Sequence, residues 1–344
     1  MKKITLNEIA KKLKISITTV SKALNGYSDV SLSTKQKVLE LSRKLNFIPN
    51  RQAAYLRTNK TKIIGVIIPV IGNSFFDDIL NGILTSAEKY GYLIILLKSD
   101  ESYENEKRLV EQLLQQNVDG IFISLAKDTY NLEHLEKVKS SKIVLIQFDK
   151  ISKLMDSSKV VIDDFNSAYK ATEHLIKNGC REIVHFRGPL LPQASIDRFL
   201  GYRKALEDNK IKFDPKRVIL FDDMNDKEGY RLMNDFISKK IKFDGIFSIS
   251  DYAAIGAIES LKENNFKIPV DIKVVGFSNL LFTDKLTPSL STVYQPGFLM
   301  GQKCFELYLK ETNAIKNNIK FNYINEVVPT KLIRRNSSQK NFLK

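Results

Sequence analysis

Residues 5–26 read TLNEIAKKLKISITTVSKALNG, and the folding of this stretch decides how the rest of the chain is read. Thr5-Leu6-Asn7-Glu8 is a capping box: the Thr5 hydroxyl takes one orphan N–H and the Glu8 carboxylate reaches back to another. Leu6, Ile9, Ala10 and Leu13 then recur at helical spacing, a first helix of about two turns. Ser16 is a second N-cap. It opens a helix over Ile17 to Leu24 with Val20, Ala23 and Leu24 inward, and Asn25-Gly26 stops it. Ser31 caps a third, longer helix whose Val38, Leu41 and Leu45 face the core, with Asn46 suited to the left-handed closing position. Three short helices, with only a few residues between the first two, predict a helix-turn-helix. In that arrangement the second helix enters the major groove of DNA with its N-terminal residues against base edges. A three-helix protein-interaction module fits the helices equally well.

Charge separates the two readings. Residues 1–62 hold fourteen Lys and Arg against three acids, a net +11 out of the +15 carried by all 344 residues. Basic charge gathered in one small module is the footprint of nucleic-acid binding, whereas the body is nearly neutral. A Lys-rich solvated surface is the plainer account of charge alone, and the helix pattern favours the first. At 43% hydrophobic and 27% charged the composition is that of a globular protein, and the length exceeds what one core usually holds. No apolar run approaches the roughly 18 residues of a membrane span. The start MKKITLNEIAKK lacks the apolar core of a secretory leader, so a cytoplasmic protein is expected. Cys180 and Cys304, with no CxxC pair, argue against a disulfide scaffold or a cysteine zinc site.

The stretch ISITTVSKALNG (15–26), with TLNEIAKKLKIS before it, resembles the N-terminal signature of the LacI/GalR family of bacterial transcription regulators. The resemblance implies that Ile17, Thr18 and Lys22 read bases, that Thr19 and Ser21 contact phosphates, and that Thr5, Ser16 and Asn25 join the DNA-facing set. Thr18 offers one hydrogen bond and a methyl contact, Ile17 an apolar contact to a thymine methyl, and Lys22 an approach to a guanine edge. Many members carry Arg where this chain has Lys22; without the bidentate fork, weaker discrimination at that base pair is expected.

The linker FIPNRQAAYLRTNKTK (47–62) follows. A helix over Arg51 to Arg57 is too short to stand alone in water and needs a packing partner. The resemblance supplies one: paired hinge helices, one per subunit, in the minor groove. Asn50, Arg51 and Ala53 then lie on the groove face, and Leu56 wedges between central base pairs, kinking the duplex at a cost of about a few kcal/mol. A disordered basic tether is the alternative.

From residue 63 the texture changes. IIGVII (63–68), YLIILL (92–97), IFIS (121–124) and IVLIQF (143–148) are short apolar strands, alternating with helices such as FFDDILNGILTSAEKY (75–90) and RLVEQLLQQ (108–116). The rhythm restarts after Asp163 with EIVHF, RVILF, GIFSI and KVVGF. Fully apolar strands alternating with helices mean parallel sheets covered on both faces. Two such runs make two doubly wound lobes, whose ligands sit beyond the carboxyl ends of the strands. Those ends carry Asn73, Phe75, Asp149, Asp251 and Ser278, with Arg198 early on the helix after GPLLPQAS. Stacking aromatics among carboxylate, amide and guanidinium groups suit a small polar ligand such as a sugar. Asp149 and Asp251 could equally cap helices, and Phe75 could equally be core.

This body also resembles the family's effector-binding core, itself similar to periplasmic sugar-binding proteins; GPLLPQASIDRFLGYRKAL (188–206) and TPSLSTVYQP (287–296) are the most specific stretches. The resemblance places Phe75, Asp149, Arg198, Met224, Asp251 and Ser278 at effector positions. Ser278 and Met224 depart from the acid and the large aromatic that many members carry there. It also implies three crossovers between lobes, near Asp163, Ser291–Thr292 and Glu326–Val328, and an operator with two half-sites. One short module makes few phosphate contacts, so a homodimer is expected. The nine residues after Arg335 are too few for the leucine-heptad tail of tetrameric members.

No residue set calls for catalysis or a cofactor. His134, His174 and His185 show no metal-ligand spacing, and there is no GxxxxGK, GxGxxG or GxSxG motif. Asp163-Asp164, taken as strand neighbours, would point to opposite faces. The chain is therefore expected to have an all-α helix-turn-helix domain (1–46), a hinge-helix linker (47–62) and an α/β periplasmic-binding-protein-like core (63–344). Lobe 1 of the core spans about 63–162 and 292–326, and lobe 2 about 163–291 and 327–344. The expected function is repression of a palindromic double-stranded operator under control of a small-molecule effector, a sugar or sugar derivative, with no membrane partner. The alternative is a non-secreted sugar-binding or sugar-kinase-like protein fused to a DNA-binding module.

Overall fold

The structure, a computed structural model, describes residues 4–24, 26–47 and 60–339, and the chain divides into two units, Met1–Thr61 and Lys62–Lys344. In the first unit the capping box forms as the sequence predicts: Thr5 N donates to Glu8 Oε2 at 2.8 Å and Glu8 N donates to Thr5 Oγ1 at 3.4 Å. It opens α1 (Leu6–Leu13), which closes on Lys14 in the left-handed region at φ 56°. Thr19 N donates to Ser16 Oγ at 3.0 Å, fixing the start of α2 (Ile17–Leu24). Ser31 does the same for α3 (Leu32–Lys44). Ile9, Ala10, Val20, Ala23, Val30 and Val38 are buried together, with Leu6, Leu13, Leu24, Leu41 and Leu45 packed around them. Asn25 and the hinge positions Asn50, Arg51, Ala53 and Leu56 lie outside the described residues.

The second unit holds, among the described residues, two six-stranded sheets. The first comprises β1 (Ile63–Ile68), β2 (Leu93–Lys98), β3 (Gly120–Ile123), β4 (Val144–Phe148), β5 (Ser158–Ile162) and β11 (Asn325–Val328), in the order β11-β5-β4-β3-β1-β2. Between its strands run α4 (Ser74–Tyr90), α5 (Tyr103–Gln115) and α6 (Glu133–Ser140), and α11 (Gly297–Lys316) leads into β11. The second sheet is built from β6 (Ile183–Arg187), β7 (Val218–Leu220), β8 (Gly245–Ser248), β9 (Lys273–Ser278), β10 (Ser291–Tyr294) and β12 (Lys331–Ile333), ordered β12-β10-β9-β8-β6-β7. Its helices are α7 (Asp164–Lys177), α8 (Gln193–Asp208), α9 (Asp226–Ser238) and α10 (Asp251–Glu263). β1, β3 and β4 are almost wholly buried, as strands with helices on both faces must be. Helix pairs approach closely enough to require glycine: a Cβ on Gly301 of α11 would sit 2.0 Å from the Ile79 carbonyl oxygen of α4.

Two of the expected crossovers move. β10 pairs in parallel with β9, Thr292 opposite Gly276, so residues 292–294 belong to the second sheet and the crossover follows Tyr294 rather than Ser291–Thr292. β11 stays paired with β5 through Val328, opposite Ile162, so residues 327–328 belong to the first sheet and the third crossover is Pro329-Thr330. In both cases the strand's register, a long-range property, sets the boundary. Asp163 and Asp164 are not strand neighbours either. Asp163 caps α7, its Oδ1 accepting from Asn166 N at 2.9 Å, and Asp164 is the first helical residue.

Candidate functional site

Two surfaces bear the expected site residues. On the first unit, Ser16, Ile17 and Thr18 are exposed at the N-terminal end of α2, Ile17 to 48%. Four N–H groups of that turn lack helical acceptors, which makes it a favourable place for a phosphate. Ser16 Oγ lies 2.8 Å from Thr19 Oγ1, so the cap and the expected phosphate contact share one hydrogen-bonded pair. Lys22, one turn on, is paired with Asp29, and that ammonium holds the Asp29 carboxyl below its usual value. The expected base reader thus has an internal counter-ion in Asp29. Thr5 is exposed and half-buried Ser21 lies on α2.

On the second unit, a cavity of about 450 Å³ opens beyond the carboxyl ends of both sheets' strands. Asn73, Phe75, Asp149, Arg198, Met224 and Ser278 all line it. Arg198, on the second turn of α8, is held entirely by the second lobe. Its Nε donates to Asp164 Oδ1 at 2.7 Å, its Nη1 to the Ile249 carbonyl at 2.9 Å, and its guanidinium lies 3.7 Å over the Phe277 ring. Among the described residues Nη2 has no hydrogen-bond partner, so it remains for a ligand. Burial raises the Asp164 carboxyl to about 6 although Arg198 beside it opposes the shift. Sequence reasoning missed Asp164: its pairing with a residue 34 positions away leaves no local signal.

The first lobe builds its wall from the start of α4, with Asn73 and Phe75, and from loops. Asp100 and Glu101 both adopt φ 56°, and Asp149 φ 57°, left-handed geometry that costs a non-glycine residue about 1–2 kcal/mol. The turn after β2 places Glu101 where it pairs with Lys150 and accepts from Lys127 N at 2.8 Å. Asp149 accepts from Ser124 Oγ at 3.3 Å, and burial raises its carboxyl. Lys127 reaches the other lobe: its Nζ lies 3.1 Å from Asp223 Oδ1 and 3.2 Å from the Asp222 carbonyl oxygen. Lys127, Asp222 and Asp223 line the cavity too, and nothing in their local sequence marked them.

Asp251 is a correction. It has no exposed surface and does not line the cavity. Its Oδ1 accepts from Thr292 Oγ1 at 2.7 Å and its Oδ2 from Leu280 N at 2.9 Å, so it ties the turn after β9 to β10 beneath the floor. Burial lifts its carboxyl to about 6. Ser278, at φ 124°, donates to Gln295 Oε1 at 3.0 Å. Met224, at φ 55°, has its N–H fixed by Glu228 Oε2 and its carbonyl by Ser250 Oγ. Asn73 caps α4 through Phe75 N at 3.0 Å. Phe75 is 7% exposed, so it serves the core and the cavity wall together.

The histidines have internal partners. His134 Nε2 lies 2.8 Å from Glu106, His174 Nε2 lies 2.7 Å from Ser338 Oγ, and His185 Nδ1 lies 3.1 Å from the Phe247 carbonyl oxygen. Burial lowers His174 to about 4 and His185 to about 3, which keeps both neutral at physiological pH. No group of three or more potential ligands among the described residues is arranged for a metal ion. No helix among them is long and apolar enough to cross a membrane.

Comparison with known proteins agrees with this geometry. Residues 61–326 match the family described as periplasmic binding proteins and sugar binding domain of LacI family. Residues 5–50 match bacterial regulatory proteins, lacI family. The chain is 33% identical to the HTH-type transcriptional regulator RegA of Clostridium saccharobutylicum, over 97% of this chain and 99% of that one. It is 29% identical to the ribose operon repressor of Halalkalibacterium halodurans, over 97% of each. The crystal structure of the Lac repressor bound to ONPG in the repressed state superposes with a TM-score of 0.85 at 25% identity, covering 98% of this chain and 100% of that one.

Proposed function

The chain belongs to the LacI family of bacterial regulatory proteins, and from that premise we propose that it is a cytoplasmic, homodimeric repressor of a palindromic operator, released or engaged by a small polar ligand, a sugar or sugar derivative, bound between its lobes. The observation that carries the effector reading is Arg198: a buried guanidinium anchored by Asp164, Ile249 and Phe277, with one nitrogen left toward the cavity. Asn73, Phe75, Asp149, Met224 and Ser278 complete the wall around it. A ligand that bridges the two walls favours one lobe arrangement, and the lobes of two subunits set the spacing of their hinge segments. A tenfold change in operator affinity needs only about 1.4 kcal/mol of such coupling.

In the DNA-binding part, Ile17, Thr18 and Lys22 read the major groove, and Thr5, Ser16, Thr19, Ser21 and Asn25 position the module on phosphates. Asn50, Arg51, Ala53 and Leu56 engage the minor groove. The purified chain, offered a pool of random duplexes, is expected to select a two-half-site palindrome. Leu56→Ala then weakens binding to the selected duplex about tenfold in fluorescence anisotropy and leaves non-specific duplex unaffected; equal loss on both removes the wedge. For the effector, a thermal-shift screen of neutral sugars, sugar phosphates, uronic acids and purines applies, since a ligand at 100 times its Kd adds about 2.7 kcal/mol to the state that binds it. A flat screen across sugars overturns the sugar reading. Selection of no duplex overturns the regulator reading.

A further inference from the structure

At the other end of the first lobe a second cavity, of about 260 Å³, is built around one buried carboxylate. Every strand pairing in that sheet is parallel, so the starts of β4, β5 and β11 lie at the end where β1 begins, away from the cleft. Glu311, on α11 and 7% exposed, forms part of the cavity wall. Ser158 Oγ accepts from Ile324 N at 3.3 Å and donates to Glu311 Oε2 at 3.1 Å, which fixes the carboxyl in place. Among the described residues Oε1 has no hydrogen-bond partner, and no cation is paired with either oxygen. Lys159, next to Ser158, leaves β5 on the opposite face and donates to the Met155 and Ser157 carbonyls instead.

The rest of the wall decides what can meet that free oxygen. Val144, Leu145 and Ile315 line the cavity with apolar surface, and the Tyr323 ring borders them. At the mouth Lys139 is paired with Asp156 at 3.1 Å, and its Nζ lies 5.8 Å over the Tyr323 ring, so that ring already faces an ammonium. Lys139 is thus neutralised by Asp156, and Lys142 is exposed to solvent in the turn after α6, where its charge is screened. Burial without a cation raises the Glu311 carboxyl to about 7, and a cation brought to Oε1 keeps it ionised. A ligand carboxylate meets like charge there, and an alcohol leaves the buried charge uncompensated. An ammonium supplies both the charge and the donor, and an apolar body behind it fills the space beside Val144, Leu145 and Ile315.

We infer that this cavity is a second ligand site, for a primary ammonium carried on a compact apolar body, with Glu311 as its counter-ion. It stands apart from the cleft and does not depend on what binds there. Isothermal titration of the full-length protein tests it with probes of matched shape: n-butylammonium and phenethylammonium, against n-butanol and butyrate. At pH 8 at least one of the two ammonium probes is expected to bind, one per chain, at least tenfold more tightly than n-butanol or butyrate. Its affinity should fall at least tenfold between pH 8 and pH 5.5, because protonation of Glu311 removes the counter-ion while the amine keeps its charge. Lys139, Lys142, Asp156 and Tyr323 are the other titratable groups on the wall. Glu311→Gln, which keeps the size and the acceptor for Ser158, separates their contribution: it should abolish ammonium binding at pH 8. Butyrate or n-butanol binding as tightly as the ammonium overturns the inference. So do an affinity that is the same at both pH values, an unchanged affinity in Glu311→Gln, and a failure of both ammonium probes to bind.

Discussion

In the first lobe the strand order is β11-β5-β4-β3-β1-β2, and in the second β12-β10-β9-β8-β6-β7, the same succession of neighbours. The last strands nonetheless differ. β11 arrives from the long helix α11 and runs parallel to β5, whereas β12 arrives straight from the other lobe through Pro329-Thr330 and pairs antiparallel with β10. The walls of the cavity differ in the same spirit. The second lobe presents Ser195 and Arg198 from a sixteen-residue helix. The first presents Glu101 and Asp149 from loop positions held in left-handed geometry and tethered by ion pairs and hydrogen bonds. A helix packed along its length fixes direction by many contacts, while a loop fixes it by a few polar ones. Arg198 is therefore the rigid anchor, and the loops that carry Glu101 and Asp149 are the part of the wall that adjusts.

If that contrast holds, its largest expression is in the buried carboxylates. Asp164→Ala leaves the Arg198 cation buried without its partner and should cost about 3–5 kcal/mol in denaturant unfolding. Glu101→Gln keeps an acceptor for Lys127 N beside a partly hydrated Lys150, and should cost about 1 kcal/mol. Equal costs would break the distinction between anchor and adjustable wall.

The next contrast is between Asp164, held by a guanidinium, and Glu311 in the first lobe, whose buried carboxylate is bonded to Ser158 Oγ at 3.1 Å and to no cation among the described residues. Burial raises Glu311 to about 7. The folded state then holds this proton more tightly than the unfolded chain does, so stability declines as pH rises from about 4.5 through 7. Glu311→Gln, permanently neutral, should melt about 2–4 °C above wild type at pH 8, the shift of roughly 1 kcal/mol in a domain of this size. The gap should close toward pH 4.5. A constant gap at both pH values would show that Glu311 does not titrate in this range.

The smallest effect belongs to the first unit. Thr5→Ala removes one cap hydrogen bond, about 1 kcal/mol, and should speed hydrogen exchange of the α1 amides roughly fivefold while leaving the sheets' amides unchanged. Faster exchange in both units would mean that α1 is not an independent stability element.

What the sequence determined by itself is everything set by neighbours along the chain. The Thr5–Glu8 box, the Ser16 and Ser31 caps, the left-handed Asn46, and the buried strands β1, β3 and β4 all follow from spacing that a reader can count. So does the placing of Asn73, Phe75, Asp149, Arg198 and Ser278 on one cavity, because parallel sheets bring their strand ends together; Met224 came from the family resemblance alone. What only the tertiary structure decided depends on partners far away in sequence. Asp251, at a strand end like the rest, turns under the floor because Thr292 and the Leu280 amide capture it. Asp164 becomes the counter-ion of Arg198, and Lys127 meets Asp223 across 96 residues. Residues 292–294 join the second lobe because β9 offers them a register. Local spacing dictates which groups reach the cleft; packing between distant segments dictates which of them remain free to meet a ligand.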